Sequence, residues 1–372
     1  MARSVIPTLS QTALPAPQPG WRPVFNGVLF VALFALGVSQ FAALPAIVRW
    51  GVSPLIVGIL AGMLYGNAAH TPMSDGWNQG VHLCARRLLR IAVALYGLNI
   101  SLQQIASVGL AGLVMSVGVV VSTLLIGVWA GKRWFGLDRD TALLTAAGSA
   151  ICGAAAVLAV ESALRNAPHK SAVAVATVVL FGTLSLILFP VAYHAGWLAL
   201  DARSWGLLVG GTIHEVAQVV GAGSAMSPET VEVATIVKMT RVALLVPVLL
   251  VLGMWLNRRA RQVGATRDRS ASEAHAVPGE NAGEGAGKVP VPWFALGFLA
   301  FALLNSTGIL APALVDALRQ LDIFLLTMAM TALGMETRLA QLRQAGPKAL
   351  GLASVLYVWL LIAGFGMVAL MS

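Results

Sequence analysis

Charge is what this 372-residue sequence has least of: only 10% of it is Asp, Glu, Lys or Arg, while 58% is hydrophobic. Soluble domains carry about 25% charge and about 45–50% apolar residues. One large soluble enzyme is therefore all but excluded, because too little polar surface exists to clothe it. Cysteine is scarce as well. Cys84 and Cys152 form no CxxC and no disulfide framework, and both read as small buried apolar residues. The first 23 residues lack an apolar core. With Pro7, Pro15, Pro17, Pro19 and Pro23 they read as a disordered tail, not a secretory signal. Acidic residues are the rarer charge, 15 against 24 Lys and Arg, for a net +9. In a soluble protein that excess suggests nucleic acid. Here the basic residues lie between apolar runs, as the positive-inside rule places them, so no nucleic-acid partner is expected.

Long hydrophobic runs are what the chain has in abundance, with a mean hydropathy of +0.82. Ten or eleven can be drawn, from Val24–Leu44 to Ala349–Met371. The fold class this implies is all-α, a polytopic membrane helix bundle of about 9–11 spans. Pro54–Gly66 and Leu321–Glu336 are short and must borrow flanking residues. Residues 257–292 break the pattern: they are polar, charged and rich in Gly, Ala and Ser, a composition that cannot bury a core. The expected organisation is one transmembrane domain in two parts, 24–256 and 293–372, with a cytoplasmic tail (1–23) and a flexible cytoplasmic linker (257–292). Counting Lys and Arg puts the N-terminus and the linker inside. Arg86, Arg87, Arg90, Lys132, Arg133 and Arg139 then fall inside as well, while Arg49, Arg203 and Arg319 fall outside. Two Gly-rich stretches, Thr141–Leu164 and Trp205–Gly223, either cross or re-enter. The charge rule mildly favours re-entry, since it keeps Arg165 and Lys170 inside.

An internal repeat is visible. Leu95-Tyr96-Gly97-Leu98-Asn99 resembles Ala332-Leu333-Gly334-Met335-Glu336, and Gly109 and Gly346 follow at matching offsets. The two copies run in opposite directions in this topology. Inverted repeats characterise secondary transporters.

Three segments carry polar chemistry. Gly148, Ser149 and Gly153 loosen an apolar stretch. Unwound backbone at membrane depth is tolerated only in protein or beside a cavity, and a fresh helix start beyond it presents free N–H groups to an anion. Gly211 and Thr212 open a second such break, followed by His214, Glu215 and Gln218. Ionisable residues at this depth point to function, and His214 and Gln218 would share a helix face. The string His-Glu-Val-Ala-Gln lacks the second His of a zinc protease motif, so no metal site is expected. In the third segment Lys238 and Arg241 share a face and need partners: Glu232 or Glu215 for one, a bound anion for the other. Close packing of small residues, a structural hydrogen-bond cluster and an interfacial pair of cations are the competing readings for the three segments.

The strings GMLYGN (62–67), RIAVALYGLNIS (90–101), GSAICGAAAV (148–157), GTIHEVAQVVGAG (211–223) and TIVKMTRVALLVPV (235–248) resemble the YeiH-like sulfate exporter family of bacterial inner-membrane proteins, over about residues 24–371. The resemblance implies a multi-pass secondary transporter in the inner membrane that exports sulfate or a related sulfur oxyanion. The resulting expectation is a carrier of a small anion, with H⁺ or Na⁺ as coupling ion, no cofactor and no catalytic residues. Gly148, Ser149, Gly153, Gly211, Thr212, Lys238 and Arg241 would bind the substrate, and His214, Glu215 and Gln218 would couple the ion. An anion channel and, more remotely, a membrane-embedded enzyme are the alternatives. Oligomeric state stays open, a homodimer included.

Overall fold

Helix α1 (Trp21–Ala42) starts three residues before the apolar run itself, and a short α2 (Pro45–Arg49) follows. The structure, a computed structural model, describes residues 21–49, 52–68, 75–164, 168–255 and 292–371. The expected tail up to residue 20, and the expected linker up to residue 291, lie outside these. The remaining elements are α3 (Pro54–Ala68), α4 (Asp75–Leu83), a π-turn (Cys84–Leu88), α5 (Leu89–Leu95), a 3₁₀ turn (Tyr96–Asn99), α6 (Leu102–Arg133), α7 (Arg139–Ala150), α8 (Ala154–Leu164), α9 (Pro168–His194), α10 (Ala202–Thr212), α11 (Val216–Ser224) and α12 (Pro228–Ala243), which continues after a turn at Leu244 as helix over 245–255. After the linker come α13 (Trp293–Thr307), α14 (Pro312–Glu336) and α15 (Leu339–Met371). No strand occurs among the described residues.

Five helices among the described residues are long and apolar enough to cross a membrane: Trp21–Ala42, Leu102–Arg133, Lys170–His194, Pro228–Trp255 and Gly346–Met371. Large apolar side chains such as Leu29, Leu33, Leu110, Leu125, Leu299 and Ile362 point outward, while Lys238 and Arg241 are wholly buried. That reversal of the soluble pattern suits a hydrocarbon solvent. At 15 residues each, α3 and α13 reach about 22 Å, short of a hydrocarbon core of about 30 Å. α14 has the length but carries Asp316, Arg319 and Asp322.

The two Gly-rich stretches re-enter. Lys170 at the start of α9 pairs with Asp138 at the start of α7 (2.6 Å), so the α7–α8 hairpin leaves by the end at which it entered. Thr230 at the start of α12 donates to Ala202 O at the start of α10 (3.0 Å), so α10–α11 does the same. The first hairpin enters at the end holding Lys132 and Arg133, the C-terminus of α6, called the basic end below. The second enters at the opposite end, where Arg203 donates to Ser107 O (2.8 Å). Both hairpins are anchored by an aspartate N-cap: Asp138 accepts from Thr141 N, and Asp201 from Ser204 N. Burial works against ionisation of Asp138, but hydrogen bonds from Lys170 and Thr141 outweigh it and hold its carboxyl down to about 2. A lowered carboxylate stabilises the fold above its ordinary value of about 4 and loses that contribution as pH falls through the lowered one. Asp138→Ala is therefore expected to cost about 0.5–2 kcal/mol at pH 7, read as a lower melting temperature in detergent. The deficit narrows only below about pH 4.

The internal repeat has matching geometry at its two copies. A Cβ added at Gly97 would strike Phe298 O and Ala302 N, and one at Gly334 would strike Ile59 O and Met63 N. Helices α6 and α15 each contain one non-helical residue at the matching place, Gly109 (φ 37°) and Gly346 (φ 77°). These two helices cross in opposite directions, with Gly118 beside Met367, Gly127 beside Leu356 and Gly131 beside Leu352. The segment α4–α5 lies antiparallel to α14. His82 meets Glu336 at one end (2.8 Å), and Arg319 donates to Leu98 O at the other (3.0 Å). The first unit runs α3, α4–α5, α6, hairpin, α9. The second has the same parts in permuted order: hairpin, α12, α13, α14, α15.

Candidate functional site

The hairpin tips meet in the middle of the bundle because each helix pair is interrupted there. α7 stops at Ala150, and the chain turns through Gly153, whose φ of 75° favours glycine. Gly153 N–H returns to Gly148 O (3.0 Å). α10 stops at Thr212, and Ile213 and Glu215 are extended (ψ 143° and 147°) before α11 starts. The tips touch: a Cβ at Gly153 would lie 3.4 Å from His214 O and 3.5 Å from Glu215 Cβ.

α12 ties the tips together. Lys238 Nζ donates to Ile151 O (2.8 Å) and Ile213 O (2.7 Å), one carbonyl from each hairpin. Arg241 donates to Ser149 O and Ala150 O of the first hairpin, and to Gly210 O, Gly211 O and Ile213 O of the second, at 2.6–3.3 Å. Both cations thus cap the C-termini of α7 and α10, where helix dipoles place about half a negative charge each. The guanidinium charge of Arg241 offsets those two half charges. The N-termini of α8 and α11 add about half a positive charge each.

The other residues singled out from sequence divide by environment. Gly148 and Gly211 are close-packing positions, beside Val157 and Val178 and beside Met115 respectively. Thr212 spends its hydroxyl proton on Leu208 O (2.6 Å). Ser149 is buried and contributes its carbonyl to Arg241. His214 sits in the break and not on a helix, so its spacing from Gln218 does not place them on one face. Its ring lies 6.3 Å from that of Tyr357. Gln218 donates to Thr183 Oγ1 (3.4 Å). Glu232 accepts from Gln104 (2.7 Å) instead of meeting Lys238. His214 Nδ1, Glu215 Oε2 and Gln218 Oε1 are buried without a hydrogen-bond partner.

A cavity of about 1660 Å³ runs from the basic end to these tips. Arg86, Arg87, Arg90 and Arg338 line it, against Glu161, Glu336 and Glu215. Its inner limit consists of Cys152, Ala154, Ala155, Glu215 and Val216, the first turns of α8 and α11. In a helix's first turn the N–H groups have no carbonyl of their own helix to reach. Ala154, Ala155 and Val216 carry such groups and line the cavity. Such an arrangement can hold an anion at membrane depth, with one carboxyl group, Glu215, in reach of it.

In the sequence, Arg86, Arg87 and Arg90 mark only the orientation of the chain, and nothing singles out Asp322. Asp322 is 1% exposed, and neither carboxyl oxygen has a hydrogen-bond partner. The available signal was a carboxylate one residue inside the Leu321–Glu336 run.

The chain matches the family described as Conserved hypothetical protein 698 over residues 26–353. It is 63% identical over 363 residues to a UPF0324 membrane protein of Bordetella pertussis, covering 98% of this chain and 99% of that one. A UPF0324 membrane protein of Pseudomonas putida is 60% identical, with 94% of each chain covered. One from Bacteroides thetaiotaomicron is 42% identical, covering 93% and 98%. No solved structure matches the chain.

Proposed function

The chain belongs to the Conserved hypothetical protein 698 family, the UPF0324 or YeiH-like membrane proteins, and we propose that it is a secondary active transporter of a small anion. The observation that carries this reading is the end of the cavity: a route from one face stops at mid-depth on the N-termini of α8 and α11. Discontinuous helices whose N-termini converge at the bilayer midplane are a recurrent way for carriers to hold an anionic substrate. The positive N-terminal ends of α8 and α11, with Arg241 offsetting the C-terminal ends of α7 and α10, favour the same occupant. In this reading the two cations act through the helix ends they hold together, and backbone N–H groups of Ala154, Ala155 and Val216 touch the anion.

Glu215 is the coupling residue. When ionised it repels an anion at the adjacent N–H groups; when protonated it admits one and adds a donor. Binding of anion and proton are thereby linked, and His214 is the neighbouring relay. Orientation follows the positive-inside rule: the basic end, the N-terminus and the linker are cytoplasmic, the membrane is the bacterial inner membrane, and the cavity faces inward. A cavity that ends blind supports a carrier over a channel, and no catalytic role is assigned. Sulfate and sulfite are the first substrates to test. In proteoliposomes holding the full chain, a proton gradient is expected to drive accumulation of labelled anion without ohmic conductance. No transport of any small anion under any gradient would reject the reading.

A further inference from the structure

The permuted repeat makes it possible to locate the route that is closed in this structure. Aligning Gly97 with Gly334 pairs Ala85 with Asp322 and Leu333 with Tyr96. Aligning the starts of α9 and α12, Pro168 with Pro228, pairs Val175 with Thr235. Ala85, Leu333 and Val175 all face the cavity at the basic end. Their counterparts are shut. Asp322 and Thr235 are buried, as is Tyr96. Tyr96 lies beside Thr235 and within electrostatic range of Asp322. One surface is open on one side and sealed upon itself on the other.

Asp322 is the ionisable carboxyl in that sealed surface. A carboxylate buried without a donor takes up a proton or a cation and does not stay charged, and among the described residues no group hydrogen-bonds either of its oxygens. Arg319, one turn earlier on α14, donates to Leu98 O instead. Of the helices packed on α14, α1 and α3 bring only Arg22 and Tyr65 as titratable groups, both toward the basic end. The segment α4–α5 brings His82, Arg86, Arg87 and Arg90, which face the cavity, Asp75 at the start of α4, and the buried Cys84. Tyr96 and, on α12, Glu232 complete the surroundings.

We propose that Asp322 is a proton-binding site on a second access path, sealed here by Tyr96 and Thr235, that leads from the anion site to the face opposite the basic end. The proposal rests on the transporter reading. Opening that path brings water to Asp322, which then releases its proton, so high pH on that side favours the open form.

The test is thiol labelling by a membrane-impermeant maleimide on the full chain in oriented vesicles, with Cys84 and Cys152 replaced by alanine. Thr235→Cys reports the opposite face and Val175→Cys the basic face. The ratio of the two in the Asp322→Asn background accounts for the pH dependence of the thiols themselves. The Thr235→Cys to Val175→Cys ratio is expected to rise with pH, by up to about tenfold per unit for one coupled proton. Asp322→Asn is expected to abolish the slope and Asp322→Glu to keep it. An unchanged slope in Asp322→Asn overturns the proton site. Thr235→Cys unlabelled from the opposite face at every pH, while Val175→Cys labels, overturns the second path. Because no substrate is needed, failure to transport sulfate leaves these results intact. Silence at Val175→Cys would strike the transporter reading and the proposal together.

Discussion

Arg241→Leu is expected to yield no monodisperse protein after extraction in mild detergent. Arg241 is the partner of Ser149 O, Ala150 O, Gly210 O, Gly211 O and Ile213 O. Leucine fills much of the space but donates nothing, so carbonyls at two helix ends are left unmet where no bulk water reaches. Each costs about 1–3 kcal/mol, and their sum rivals the roughly 5–15 kcal/mol that holds a typical domain folded. Lys238→Met strips only Ile151 O, since Ile213 O keeps Arg241, a loss of about 1–3 kcal/mol by the same measure. That variant is expected to be folded but melt early. Size-exclusion profiles and melting curves of the two variants, beside the parent, check the order. An Arg241→Leu protein as stable as the parent would mean that the hairpins stand without it.

Glu215→Gln is expected to separate anion movement from the proton gradient. Glutamine keeps the shape of the side chain at the cavity's inner limit and can still donate to an anion, but it carries no proton on or off. Proton-driven accumulation in proteoliposomes should fall by about two orders of magnitude or more, the scale of a coupling of roughly 3 kcal/mol. One-for-one exchange of labelled for unlabelled anion should persist and lose its pH dependence. Accumulation that survives in Glu215→Gln would move the coupling role elsewhere.

The contrast between these two sites shows what could be read from residues alone. The spans were legible because hydrocarbon demands runs of apolar side chains, and the presence of two breaks because glycine and buried ionisable groups are costly inside such runs; the breaks themselves fall at 151–153 and 213–215, beyond Gly148, Ser149, Gly211 and Thr212, which stay helical. The spacing of Lys238 and Arg241 placed them on one face and signalled that they needed partners. It could not reveal that the partners were backbone carbonyls, since every residue carries one. Re-entry rested on Arg165 and Lys170 in the charge count; the Lys170–Asp138 pair decides it, a contact between positions that only folding brings together. His214 and Gln218 misled for a related reason: four-residue spacing means a shared face only on a continuous helix, and His214 lies in the break. Asp322 went unremarked because it stands in an apolar run with no polar neighbour in sequence to draw attention to it. Its interest comes from the inverted partner of Ala85, which requires the two halves to be superposed.

The most direct test of the anion site is protection of a thiol at Ala155, which lies at the cavity's inner limit. In vesicles exposing the basic face, Ala155→Cys should react readily with an impermeant maleimide. At least one small anion among sulfate, sulfite, phosphate, chloride and simple carboxylates should slow that reaction in a saturable way, while leaving a thiol at Asn78 near the mouth unaffected. Labelling at Ala155→Cys that no small anion slows, at any pH, would contradict the account.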